Sequence, residues 1–321
     1  MDIIHEGKVK RVFQEPDSPE RVIIEFTDTV TAGDGKKRQV IEGKGELACR
    51  MSEYLFGYLE GKGIDTHYVK PLSGARLLCR KVAIYPIEVV CRNIAAGSFC
   101  RRYGLERGEP LRRPLVEFFV KDDSLHDPLI AKDSIILLGL LEEDVLQFMK
   151  SVTLSANYYL TELFRQQELT LVDFKLEFGS TKDGHVVLAD ELSGDTMRVW
   201  DNDSTSVDKD VFREDKGDLI EAYTQLVDSL KMTRPEDVSL RPETVKVIVD
   251  PKGGIKNPPG EVTKKALVRL GFSDVEEVRV GKIFKIQLKR PLTSEILNQL
   301  RMMSVKLLSN PISEKHEVSL D

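Results

Sequence analysis

At 321 residues the chain exceeds what one compact domain usually needs, and about two units of roughly 100–200 residues are expected. Its 41% hydrophobic and 31% charged residues exclude a disordered tail or a coiled coil, and 47 basic against 53 acidic side chains (formal charge −6) exclude a broadly basic nucleic-acid face while leaving room for a local anion pocket. No apolar run approaches the ~20 residues that span a bilayer, the start lacks the apolar core of a secretory signal, and Cys49, Cys79, Cys91 and Cys100 form no C-x-x-C pair, so a cytoplasmic chain with reduced thiols and no membrane or nucleic-acid partner is expected.

The first motif is Gly7-Lys8-Val9-Lys10-Arg11, leading into an alternating strand at residues 11–13. A glycine that lets the backbone approach closely, with lysines two apart on one strand face, suits contact with phosphates. An edge strand with solvated lysines is the alternative, and no P-loop signature is present. Strands are expected at 22–26, 77–82 and 87–91, and a helix at 46–61. The segment from Ile84 to Ser98 joins a buried-type strand to the small-residue turn Ala95-Ala96-Gly97-Ser98. There Arg92 offers a planar fork for carboxylate or phosphate, and Ser98 with backbone N–H groups could receive an anion. A tight strand-to-helix turn with a surface arginine explains the same letters. The polar loop 121–128 holds a His126-Asp127 pair, best read as a loop tied by its own Asx-type hydrogen bonds. Five scattered histidines make a zinc site improbable.

A long helix is expected at 142–165, followed by a hairpin over 169–191. In its first strand Asp173, Lys175 and Glu177 share one face, and Phe174, Leu176 and Phe178 share the other. If Asp183-Gly184 is a two-residue turn, Glu177 falls opposite Asp190. Facing carboxylates repel unless a cation lies between them, and oxygen-only ligands favour Mg²⁺. A solvated charged face neutralised by Lys175 is the competing account. A helix at 218–230 ends in a polar, proline-bearing stretch at 231–244, the expected boundary. Beyond it, strands at 245–249, 275–280, 283–288 and 317–320 and helices at 261–270 and 293–308 give the order βαββαβ.

Taken in order, Glu6-Gly7-Lys8-Val9-Lys10-Arg11, Phe26-Thr27-Asp28, Ile41-Glu42-Gly43-Lys44-Gly45, the 84–98 and 121–128 segments, Leu171-Val172-Asp173-Phe174-Lys175-Leu176-Glu177-Phe178-Gly179 and Ala189-Asp190-Glu191-Leu192-Ser193 closely resemble the SAICAR synthetase family. The tail, with Gly260-Glu261-Val262, Leu270-Gly271-Phe272 and Val278-Arg279-Val280-Gly281-Lys282, is similar to PurS, the small subunit of phosphoribosylformylglycinamidine (FGAM) synthase. The resemblance implies an α+β fold, with a two-lobed body similar to SAICAR synthetases and the ATP-grasp group followed by a small βαββαβ domain. The corresponding boundaries are 1–232 (a smaller lobe to about residue 85, a larger one from 86), a linker at 233–244 and a PurS-like domain at 245–321.

It also implies an ATP-dependent ligase of purine biosynthesis, a multifunctional fusion joining carboxyaminoimidazole ribotide to L-aspartate with release of ADP and phosphate. Gly7, Lys8, Lys10, Lys81, Glu88 and Lys121 would hold ATP. Glu177 and Asp190 would carry Mg²⁺. Arg92, Ser98 and Arg198 would bind the substrate's phosphate and carboxylates, with Asp34 in a substrate loop. Asp173 and Lys175 would orient the reacting groups, giving a catalytic set of Asp173, Lys175, Glu177 and Asp190. The tail would form homo-oligomers and dock the large (PurL) and glutaminase (PurQ) subunits of FGAM synthase. A ligase whose tail only oligomerises, and a nucleotide sensor without chemistry, are the other readings.

Overall fold

Short strands open the chain: β1 (Ile3–Glu6), β2 (Lys10–Gln14), β3 (Arg21–Phe26) and the ribbon β4 (Thr29–Ala32) with β5 (Lys37–Val40). The structure is a computed structural model that describes residues 2–32, 37–232 and 243–319. The chain divides into a unit Met1–Leu240 and a unit Arg241–Asp321. In the first unit, helix α1 (Lys44–Gly61) buries Ala48, Met51, Leu55, Phe56 and Leu59, a stripe at the helical period. Asp28 accepts a hydrogen bond from the Gly45 N–H (2.9 Å), supplying one of the partners that a helix start lacks. With β6 (Tyr68–Leu72) and β7 (Arg76–Arg80) the smaller lobe closes as an antiparallel sheet of order β1-β2-β3-β7-β6.

The larger lobe follows: β8 (Ala83–Ile94), α2 (Gly97–Tyr103), β9 (Pro110–Val120), β10 (Leu129–Ile130), α3 (Lys132–Leu137), α4 (Glu143–Arg165), β11 (Thr170–Ser180), β12 (Val186–Ala189), β13 (Met197–Trp200), α5 (Asp210–Arg213) and α6 (Leu219–Met232). Its antiparallel sheet runs β10-β9-β8-β11-β12, with β13 pairing the first half of β11 and β12 the second. Helix α4 turns a stripe that includes Leu146, Met149, Val152, Ala156, Leu160 and Leu163 inward, and Phe174, Leu176 and Phe178 of β11 are buried as well. Central β11 thus keeps its apolar alternate residues in the core and offers the other set to a cleft.

One expected pairing differs. The β11–β12 connection is a five-residue loop, 181–185, closed by the Thr181 N–H on the His185 carbonyl (2.9 Å), with Ser180 paired to Val186. Glu177 therefore stands opposite Ala189, one position short of Asp190.

In the second unit, β14 (Glu243–Pro251) is the middle of a three-stranded antiparallel sheet of order β15-β14-β16, with β15 (Lys282–Leu288) and β16 (Glu314–Ser319). Helices α7 (Pro258–Arg269) and α8 (Ser294–Met303) connect them, and α8 continues into a π turn over Ser304–Leu308. Val245, Val247 and Val249 are buried, as the alternation requires. The strand expected at 275–280 does not form, because its backbone groups bond elsewhere. Asn257 bonds both the N–H (3.2 Å) and the carbonyl (3.0 Å) of Val280, and the Lys264 ammonium takes the Glu276 carbonyl. A Cβ on Gly260 would meet the Val278 carbonyl at 2.0 Å, so this segment lies against the start of α7. The expected linker lies outside the described residues, except Glu243 and Thr244, which open β14.

Candidate functional site

Asp173 is the hinge of the site. On β11 it lies level with Arg92 of β8 on one side and Arg198 of β13 on the other, and it bonds both. Arg92 Nη1 reaches its Oδ2 at 2.8 Å, and Arg198 Nη1 reaches Oδ1 at 3.0 Å and Oδ2 at 2.8 Å. Arg92 Nε also bonds Glu117 of β9 (2.6 Å), whose second oxygen takes Arg102 of α2 (2.5 Å). On the other side Arg198 Nε bonds Asp210 (2.7 Å), which also holds Arg213 (2.5 Å). Arg92, Arg198 and Arg213 line a cavity of about 230 Å³ together with Asp173, Lys175 and Asp195. Gly97, at φ +55°, lets the Arg198 guanidinium come close, since a Cβ there would meet its Nη2 at 2.7 Å. Ser98 is next in α2 and does not line the cavity.

Two residues further along β11, Lys175 bonds Glu88 (2.5 Å) and Glu177 (3.1 Å), and Lys121 bonds the other Glu177 oxygen (2.6 Å). Glu177 is paired across the ladder with Glu88. Facing carboxylates are therefore present, and the cation between them is the Lys175 ammonium. Asp190 reaches the cluster by another route. It sits just past β12 at φ +66°, and Lys10 of the smaller lobe pairs with it and with Glu191 (2.9 Å). Burial alone would push the Glu177 carboxyl up, but Lys175, Lys121 and Lys10 bring it down to about 2. Burial likewise opposes the Lys10 and Lys175 ammonium groups, and the surrounding carboxylates hold both above the ordinary lysine value. Burial raises the Glu88 carboxyl against the pull of Lys175.

Other sequence-predicted residues fall elsewhere. Lys8 pairs with exposed Asp123 in the 121–128 loop (2.6 Å). Gly7 closes the β1–β2 turn through its N–H on the Lys10 carbonyl (2.9 Å), but a Cβ there would find ordinary room. Lys81 bonds Gln14 (3.1 Å) and lines a separate cavity of about 790 Å³, none of whose lining residues belongs to either cluster. Asp34 lies outside the described residues. The 121–128 loop is tied as expected: Asp122 accepts the Ser124 N–H (2.9 Å) and hydroxyl (2.6 Å), and Asp127 accepts the Asp122 N–H (2.9 Å).

Sequence reasoning missed Arg213, Asp210, Glu117 and Arg102. A signal existed for the first two, since Asp208-Lys209-Asp210 and Arg213 put opposite charges one helical turn apart. It missed as well that Asp195 is buried between Lys44 and Lys209, which pull its carboxyl below the usual range against the cost of burial. Among the described residues no three His, Cys, Asp or Glu side chains are grouped to hold a metal. Two carboxylates at the lysine cluster supply hard oxygen donors, a partial set that Mg²⁺ accepts when waters and phosphates complete it. No helix among the described residues is long and apolar enough to cross a membrane.

Comparison with known proteins gives a coherent picture. The model of the SAICAR synthetase family matches residues 3–230, and that of PurS, described as phosphoribosylformylglycinamidine (FGAM) synthase, matches residues 244–321. The phosphoribosylaminoimidazole-succinocarboxamide synthases of Staphylococcus saprophyticus subsp. saprophyticus and Finegoldia magna are each 44% identical over 232 residues, which is 72% of this chain and 99% and 100% of theirs. A solved SAICAR synthetase in complex with ADP aligns at 43% identity and TM-score 0.68, covering 70% of this chain and 96% of its own. The Ehrlichia chaffeensis synthase aligns at 39% identity and TM-score 0.70, covering 72% and 98%.

Proposed function

Because the chain belongs to the SAICAR synthetase family, we propose that its first 232 residues join the carboxylate of carboxyaminoimidazole ribotide to the amine of L-aspartate, converting ATP to ADP and phosphate. A carboxylate is a poor acyl donor. Phosphorylation by ATP would make it reactive, and the aspartate amine would then displace phosphate. Such chemistry asks the protein for position and charge neutralisation, not for a nucleophile. One observation carries the reading. Asp173, Lys175 and Glu177 share one face of β11, which sets the arginine-lined cavity beside the lysine–carboxylate cluster, at about 7 Å per two residues. An anionic ribotide and the phosphates of a nucleotide would thus be held next to each other.

In this reading Arg92, Arg198 and Arg213 receive the ribotide's anionic groups, with Ser98 at the margin. Asp173 keeps two of the arginines side by side and touches no reacting atom. Lys10, Lys121 and Lys175 meet the nucleotide phosphates, Lys8 joins them by leaving Asp123, and Glu88 restrains Lys175. Lys81 is left out, since it lines the other cavity. Glu177 and Asp190 would hold Mg²⁺, which supplies charge neutralisation at the phosphates.

Residues 245–321 would serve as the PurS-type subunit of FGAM synthase, docking its large and glutaminase subunits. The exposed apolar side chains Val262, Leu270, Phe272 and Ile283 support that role.

Aspartate-dependent ADP release in the presence of the ribotide tests the ligase. Glu177→Gln should abolish turnover with an unchanged far-UV spectrum, because Lys175 retains Glu88 and the partly exposed Lys121 regains water. Near-normal turnover in that variant removes the metal assignment. The large and glutaminase subunits should co-purify with the full chain and not with one ending at Leu230.

A further inference from the structure

Arg102, Glu117, Arg92, Asp173, Arg198, Asp210 and Arg213 form one unbroken file of alternating charge, every link between 2.5 and 3.0 Å. Only part of this file reaches the cavity. Glu117 and Arg102 do not line it. Yet Glu117 is buried, on a strand where an unpaired carboxylate would be costly, and both of its oxygens are spent on arginines.

We propose that Glu117 and Arg102 are positioning residues for the anionic substrate: Glu117 fixes the plane of the Arg92 guanidinium, and Arg102 fixes Glu117. The inference rests on the reading that the cavity receives the ribotide. Arg92 is held at two edges, Nε on Glu117 and Nη1 on Asp173, while its face lies over the Phe99 ring at 5.5 Å. This leaves Nη2 as the nitrogen offered to a phosphate or carboxylate, in a plane fixed by the two bonded carboxylates. Charge balance gives the second argument. Arg92 between Glu117 and Asp173 is a triplet of net negative charge, which would repel an anion. Arg102 at one end and Arg198 and Arg213 at the other raise the file to four positive against three negative groups. Arg102 is itself held in place, its guanidinium 5.5 Å from the centre of the Phe119 ring. Without it the file is neutral.

The test compares Arg102→Gln, Arg102→Lys and Glu117→Gln in the full chain. It measures KM for the ribotide, ATP and aspartate, kcat, and equilibrium binding of the ribotide without ATP. Arg102→Gln should raise the ribotide KM and Kd about tenfold while kcat and the other two KM values stay within about twofold. Arg102→Lys, which restores the charge, should recover most of the loss. Glu117→Gln should show the same selectivity. Should it fail to fold, the Arg102 pair at the partly exposed end of the file carries the test alone. Unchanged ribotide binding in Arg102→Gln overturns the inference, as does a parallel change in all three KM values and kcat, the mark of general loosening. A wild-type chain that neither turns over nor binds the ribotide overturns the proposed function and this inference with it. A wild-type chain that binds, alongside variants that bind equally well, overturns the inference alone.

Discussion

Burial keeps the His67 imidazole neutral. The ring is edge-on to Phe56, with centroids 5.2 Å apart and planes at 72°. Loss of solvent dominates over the nearby Asp190 and holds its pKa down at about 4, against an ordinary value near 6.5. The unfolded chain therefore takes up a proton at this position before the folded chain does. Stability from this group is complete above pH ~6.5 and is lost as pH falls toward about 4, a drop of up to roughly 3 kcal/mol at 1.36 kcal/mol per unit. Urea unfolding at pH 4.5 and pH 7 should show this fall in the wild type and a smaller one in His67→Gln. An equal fall in both would assign the acid sensitivity to other groups. The backbone N–H of His67 donates to the Leu188 carbonyl (2.7 Å), two residues before Asp190.

At the scale of elements, the approach of α1 to β3 is a constraint set by backbone atoms. A Cβ on Gly45 would lie 2.7 Å from the Phe26 carbonyl oxygen and 2.9 Å from the Thr27 carbonyl carbon, backbone atoms that cannot swing aside. Gly45→Ala should cost about 1–3 kcal/mol in denaturant unfolding. Gly57→Ala on the same helix, with nothing within 4 Å, should be neutral or stabilising by up to about 1 kcal/mol. Equal effects would mean that helix propensity, not contact, sets the result. Because Lys44 adjoins Gly45 and pairs with Asp195, the first variant should also lower turnover.

What was legible in the sequence follows the range of the forces involved. The polar face of β11 and the helices α1 and α4 depend on local pattern, and they formed where that pattern put them. The Glu177–Asp190 register did not, because it depended on a turn whose length the Thr181 and His185 hydrogen bond sets. The strand at 275–280 failed for a related reason: its alternation is real, but Asn257 and Lys264 compete for its backbone. Glu117 and Arg102 carry no local signal, since Arg92 and Glu117 meet across 25 residues and Arg92 and Asp173 across 81.

Over the whole molecule, every described residue assigned to the ligase lies in the unit Met1–Leu240, and the second unit has its own sheet and buried valines. That division lets a single substitution test the proposed role of the second unit apart from the ligase. Val247 is fully buried in the middle strand β14, level with Phe284 of β15 and Val318 of β16. A carboxylate placed there has no partner and loses its hydration, a cost of several kcal/mol that a sheet of three strands cannot absorb. Val247→Asp should therefore remove the cooperative unfolding transition of the second unit in calorimetry and abolish co-purification of the FGAM synthase subunits. Aspartate-dependent ADP release should remain within about twofold of wild type, because Val247 and the residues assigned to the ligase belong to different compact units, each with its own core. If release falls in step with the lost transition, the ligase depends on the folded tail, and the two units are coupled.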